Sequence, residues 1–264
     1  MRRRHFLTTS SGTLIGDFAF LNGLTPVSAE ETKSVANLVK FSDEIEPVVR
    51  LLENTSRERL LEEVGSRVKS GKLSYREILA ALQLAGVRNV QPRPVGFKFH
   101  SVLVVNSAHM ASMASPDQDR WLPIFWALDY YKQAEKTNVD QGNWHMAPVD
   151  ETAVPKAKHA RKEFVRAMEN WDVAAADAAV SGLVRSCGAH QAFELFAGFG
   201  SRDFRDIGHK AIFVAKSFRT LQNIGWHHAE PILRSLAYAL LAHEGDNPAR
   251  RDSDLDRPWR EISA

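Results

Sequence analysis

The sequence predicts an all-α protein: a single multi-helix, bundle-like domain with a central buried helix. Three observations predict it. Helix-start signals, a serine or threonine followed by acidic residues, stand ahead of apolar runs. Glycines recur at Gly188, Gly198, Gly200, Gly225 and Gly245, punctuating those runs at helical lengths. No alternation of strand and helix and no glycine-rich phosphate loop interrupts the pattern.

The elements follow in order. Ser42 caps a helix over Asp43-Glu44-Ile45, whose acidic residues suit the positive end of the helix dipole. Thr55-Ser56-Arg57-Glu58 reads as a capping box ahead of Leu60, Leu61 and Val64. Ser74-Tyr75-Arg76-Glu77 reads as another, ahead of Ile78, Leu79, Leu82 and Leu84, with Gly86 as the glycine that stops the helix. Pro92 and Pro94 hold residues 88–96 extended. Residues 97–112 are apolar in most directions around a helix, which predicts the buried central one. A buried strand is the alternative for Val102 to Val105. Ser115-Pro116 opens a long helix through Trp121, Phe125, Leu128 and Tyr131, and 137–153 is a loop. Helices are expected at 155–170, 172–187, 190–199, 204–223 and 228–244. The stretch 246–264 is dense in charge, carries Pro248 and Pro258, and is expected to be a mobile tail.

Residues 1–29 have the form of a signal peptide: a basic start, a weakly apolar middle from Gly12 to Leu24, and Val27-Ser28-Ala29 as the cleavage site. Arg3-Arg4-His5-Phe6-Leu7 resembles the twin-arginine export signal of bacteria. That resemblance implies a periplasmic or otherwise exported protein, carried folded and often with its cofactor already inserted. The polar residues 30–40 then lead into the domain at 41–245. No other apolar run approaches the roughly 20 residues that cross a bilayer, so no transmembrane anchor is expected after cleavage.

The 264-residue chain carries 34 Lys+Arg against 32 Asp+Glu. Removal of Arg2, Arg3, Arg4 and Asp17 with the leader leaves 31 of each sign. A neutral domain lacks the basic face that nucleic acid requires, so no nucleic-acid partner is expected. One cysteine, Cys187, excludes an intrachain disulfide and a thiolate zinc cluster. Gly-x-Ser-x-Gly, His-Glu-x-x-His and Cys-x-x-Cys-His motifs are all absent.

Histidines carry what chemistry remains. His100, His109, His190, His209, His228 and His243 fall in apolar helices, and at least two of them are expected to form a metal site. His100 and His109 are nine residues apart, about half a turn around a helix, and cannot face one site together. His228 and His243 share a stripe but lie about 22 Å apart along a helix axis. Up-and-down packing of the last three helices brings His190 and His227-His228 to one end, and His209 and His243 to the other. Asp206 stands three residues before His209, and Glu230 three after His227, so either carboxylate is a candidate to complete a metal shell or move protons. Trp226 is a candidate shield for such a site.

His100 and His109 on a mid-chain helix, followed by Gly208-His209 opening another, make residues 90–245 resemble questin oxidase-like proteins. The resemblance implies a helical, histidine-bearing oxidoreductase. The expectation is therefore an exported oxidoreductase acting on a small molecule through a histidine-bound iron or other transition-metal ion. The alternative is a non-enzymatic exported binding or scaffold protein whose histidines are structural.

Overall fold

The computed structural model describes residues 38–94 and 96–263. The expected leader, 1–29, and the lead-in up to residue 37 lie outside the described residues. Among the described residues there are eleven α-helices, five short 3₁₀ turns and no strand. The helices are α1 (Glu46–Asn54), α2 (Arg57–Lys69), α3 (Tyr75–Asn89), α4 (His100–Ala114), α5 (Leu122–Asp140) and α6 (Ala157–Glu169). They continue with α7 (Val173–Ser186), α8 (Ala189–Gly200), α9 (His209–Ile224), α10 (Ala229–Leu240) and α11 (Arg257–Ser263). Val102 to Val105 is helical, as read. None of these helices is long and apolar enough to cross a membrane.

The central position falls to α3, one element earlier than the apolar stretch at 97–112 predicts. It packs against α1, α4, α5, α9 and α10, and its residues from Ile78 to Asn89 are all buried. Helix α4 lines the core with Val102, Leu103, Val105 and Ala108 but exposes Ser107, Met110 and Met113. The sequence misleads because apolar methionines and alanines occupy the outer face of α4.

Gly86 explains how α3 is enclosed, and it corrects a boundary. It does not stop the helix; it lies inside α3, where a Cβ would meet Val102 Cγ2 at 2.9 Å. A side chain removed at that point lets α3 and α4 cross closely. The capping box at Ser74 is present: Glu77 N–H donates to Ser74 Oγ, and Ser74 N–H donates to Glu77 Oε2 at 2.8 Å. The one at Thr55 is not; α2 starts after Ser56, which makes no side-chain cap bond, and Thr55 Oγ1 donates back to Leu51 O. Ser42 opens a turn instead of a helix, and α1 begins at Glu46.

Arg88, wholly buried, fastens α3 to α1. Its guanidinium reaches Glu46 and Glu53 at 2.8 Å each and donates to Val39 O. Helices α4 and α9 run side by side in one direction: His100 meets His209, Lys216 donates to Ser107, and Phe99 stands edge-on to Phe213. Helices α9 and α10 are antiparallel, since Lys210 at the start of α9 donates to Ala242 O just past the end of α10.

The tail after Gly245, for which composition predicts a loose segment, is tied to the body. Asn247 donates to Asn170 O, Asp256 binds Arg205 through both oxygens, and Trp259 packs on Phe199 with ring centroids 5.6 Å apart.

Candidate functional site

The starts of α4 and α9 bring two of the predicted histidines together. His100 and His209 are each the first residue of a helix that follows a 3₁₀ turn. His100 Nδ1 lies 2.9 Å from Gly96 O, and His209 Nδ1 lies 2.6 Å from Asp206 O. A carbonyl only accepts, so each Nδ1 carries the hydrogen and each Nε2 of a neutral ring presents a bare lone pair. The two Nε2 atoms face one another at 3.3 Å, with the rings at 89°. Two lone pairs at that separation repel unless a proton or a metal ion lies between them.

The turn ahead of His209 is strained. Asp206, Ile207 and Gly208 have φ of 55°, 48° and 84° in succession. Glycine tolerates that region, whereas a β-branched residue there costs about 1–3 kcal/mol. Ile207 is 78% exposed, so burial of its side chain does not offset the cost. What the turn achieves is to set the Asp206 carbonyl on the His209 ring.

Charges pin the turn from below. Asp203 is buried with Lys210 Nζ 3.1 Å from both carboxylate oxygens, and Arg205 reaches it at 3.3 Å. Burial, opposed by Asp203, brings the Lys210 ammonium down to about 8. Arg202 stacks on Trp171 at 3.7 Å and donates to Met168 O and Leu240 O; burial brings it down to about 10. The sequence alone does not single out Asp203, Arg205 and Lys210. Their signal was a run of alternating charge set between apolar helices, which reads as solvated surface until its partners are known.

The other candidates go elsewhere. His109 bonds the Tyr75 hydroxyl at 3.0 Å, away from His100 as the half-turn spacing requires. Burial lowers its basicity, with an Asn223 bond opposing. His190 does meet Glu194 at 3.4 Å, but its side chain is 86% exposed on the solvent face. His228 is buried in the 3₁₀ turn before α10, tilted at 50° against His227 with ring centroids 3.9 Å apart. His243 stands edge-on to Trp171. Because α10 ends at Leu240, neither His228 nor His243 lies within the helix predicted at 228–244.

The up-and-down order of α8 to α10 matches the reading, yet its expected clusters do not form. His209 finds His100 on α4, not His243. Asp206 serves His209 through its carbonyl and not its carboxylate. Glu230 is held by Arg185, which also binds Glu151, each at distances of 2.7–2.8 Å. Trp226 packs on Phe218 and belongs to the core margin. Among the described residues no group of three or more histidine, cysteine or acidic side chains is gathered closely enough to hold a metal ion.

Fold and site together define a helical protein with a paired-imidazole centre between two parallel helices. No protein-family model, no curated protein and no solved structure matches this chain.

Proposed function

We propose that this protein is an exported helical oxidoreductase in which His100 and His209 bind one transition-metal ion through their Nε2 atoms. The observation that carries the reading is the pair of facing lone pairs. Two nitrogens bound at about 2.0–2.1 Å in a tetrahedral shell lie about 3.4 Å apart, and these lie 3.3 Å apart. The carbonyl bonds to both Nδ1 atoms are the outer supports that fix ring orientation at imidazole–metal sites.

A shared proton is the competing occupant. Both rings sit at helix N-termini, whose positive dipole ends oppose any cation between the rings, so the dipoles do not choose between a proton and a metal ion and the metal-like separation decides. The same field favours an anion beside a bound metal, such as hydroxide or a carboxylate substrate. With two protein ligands, the remaining positions belong to water and substrate, which suits a redox centre that must admit its reactant. Iron and copper both accept imidazole and change oxidation state. The leader that resembles a twin-arginine signal supports export after such a metal is loaded.

The test is metal analysis of protein purified through its own export route, repeated after loading the apoprotein with Fe(II), Cu(II) and Zn(II). About one ion per chain is expected, lost in both His100→Ala and His209→Ala, with a chelator lowering the melting temperature of the wild type alone. Substoichiometric metal together with melting that ignores the chelator would sink the proposal. A bound ion that cannot be reduced and reoxidised would favour a non-enzymatic binding or scaffold role.

A further inference from the structure

Tyr75 and His109 stand outside the paired-imidazole centre, and their chemistry is not used by it. Tyr75 is the first residue of α3, and its phenol oxygen lies 3.0 Å from Nδ1 of His109 on α4. Asn223 on α9 bonds the same ring, while its amide nitrogen donates to Arg219 O at 2.9 Å. The Asn223 oxygen is then the end turned to the ring. The second ring nitrogen therefore carries the hydrogen, and Nδ1 accepts from the phenol. Burial keeps both partners in that state at neutral pH. It raises the Tyr75 phenol above its usual range, with a Ser112 bond opposing, and it lowers the imidazole, with Asn223 opposing. A neutral donor faces a neutral acceptor.

That arrangement lets a phenol give up an electron. A phenol that loses an electron alone becomes a strongly acidic cation, and a base within hydrogen-bond reach takes the proton and makes the loss far easier. Tyr131 also bonds a base, Glu135, but Lys132 Nζ lies 5.7 Å from its ring centre, and the Arg93 guanidinium lies over the Tyr238 ring at 3.7 Å. A cation attracted to a ring face opposes removal of an electron from that ring. Tyr75 has an indole beside it instead: Trp121, half-buried just ahead of α5, with ring centroids 5.4 Å apart. Indole is the other side chain that readily yields an electron. The pair is also near the histidine centre, since His109 follows His100 by nine residues on α4, about 14 Å along the axis. Electrons tunnel over such spans through packed protein. Protons do not, and so the phenol needs its own base.

We infer that Tyr75 is a one-electron donor to the histidine-bound metal centre, with His109 as the acceptor of its proton. In the step, the oxidised centre takes one electron from the Tyr75 ring. The phenol O–H bond breaks, a bond from that hydrogen to His109 Nδ1 forms, and a neutral phenoxyl radical is left facing an imidazolium. The oxidant is a strong one, of the kind a transition-metal ion becomes after reaction with dioxygen or peroxide. That link rests on the metal reading above, whereas the donor–acceptor pair does not.

The first probe is photogenerated tris(bipyridine)ruthenium(III), flashed into the metal-free full chain. A tyrosyl radical is expected in its optical and electron paramagnetic resonance spectra. Tyr75→Phe should remove its fast phase, and His109→Gln should slow that phase at least about tenfold. Solvent deuterium should slow it in the wild type and have less effect in His109→Gln. Both variants should keep the helical circular dichroism of the wild type. A fast phase that survives Tyr75→Phe, or one whose rate ignores both His109→Gln and deuterium, would overturn the inference and leave a structural hydrogen bond. Metal-loaded protein treated with hydrogen peroxide should then give the same radical, lost in His100→Ala. No radical from protein that does hold its metal would overturn the link to the centre. Failure to hold metal at all fails the proposed function instead, and the ruthenium result then decides for the pair.

Discussion

His228 is 7% exposed, and its surroundings oppose its charge. Burial is the main cause, with His227 and Arg76 adding positive charge beside it, and the imidazole is pushed down to about 4. Glu44 and Glu77 line the same recess, but this lowering persists beside them. An unfolded chain binds the proton near pH 6.5. Between about pH 6.5 and 4 the unfolded state therefore holds more protons at this site, and stability falls as pH falls. The loss approaches about 3 kcal/mol at the acid end of that window. Above pH 6.5 the ring is neutral in both states and contributes no pH dependence. In His228→Gln, the denaturation midpoint should fall less steeply from pH 7 to 4 than in the wild type. Equal slopes would show that His228 is solvated. The same scale explains why the histidines were legible as residues but not as a site. Their apolar neighbours show in the sequence, and His100 and His209 both stood out. Which imidazole meets which depends on carbonyl partners at Gly96 and Asp206, and no side-chain pattern reports those.

At the scale of elements, most helices were legible, because capping residues and apolar spacing are local properties. Errors fall where one helix meets another. Gly86 looks like a helix stop in isolation and is a crossing point in the fold; Val102, which demands it, is 16 positions away in sequence. The pairing of α4 with α9 is longer in range still. Periodicity orders residues along a helix face and says nothing of which faces meet, so from sequence His209 pairs with His243 at the shared end of α9 and α10, and in the fold it meets His100. The glycines at crossings make this measurable. Gly86→Ala gains about 1 kcal/mol of helix propensity but forces a Cβ to 2.9 Å from Val102 Cγ2, and overpacking of this kind costs about 1–3 kcal/mol. A net loss in chemical denaturation is expected. Val102→Ala should cost less in the Gly86→Ala background than alone, a coupling that a double-mutant cycle reads directly. Gly182→Ala meets Pro155 O at 2.8 Å. That neighbour is backbone, so truncating the Pro155 ring should recover little. Additive energies in the first cycle would remove the close crossing of α3 and α4.

At the scale of the molecule, the charged tail decides whether the histidine pair is held by its two helices alone or by the whole assembly. Composition predicts a mobile 246–264, because charge and proline usually mean solvent. Here the charges have partners in the body: Asp256 neutralises Arg205, which helps hold Asp203 under the strained turn, and the turn orients His209. Trp259 covers Phe199. Truncation after Gly245 thus removes the counter-ion of a half-buried arginine and opens an aromatic contact. Breaking a buried pair from one side costs about 3–5 kcal/mol; for Arg205, which keeps Asp203, a smaller loss is expected. The truncated protein should melt several degrees lower with its helical circular dichroism nearly intact, because α11 is short and peripheral. It should bind metal more weakly, since the strain at Asp206 and Ile207 is no longer held from below. Asp256→Asn in the full chain isolates the electrostatic part, keeping Trp259 in place while leaving Arg205 with Asp203 alone. If Asp256→Asn reproduces the loss of metal affinity, the tail acts on the histidine pair through Arg205 and the turn. If truncation lowers the melting temperature but metal binding is unchanged, the pair is held by α4 and α9 alone and the tail serves only stability.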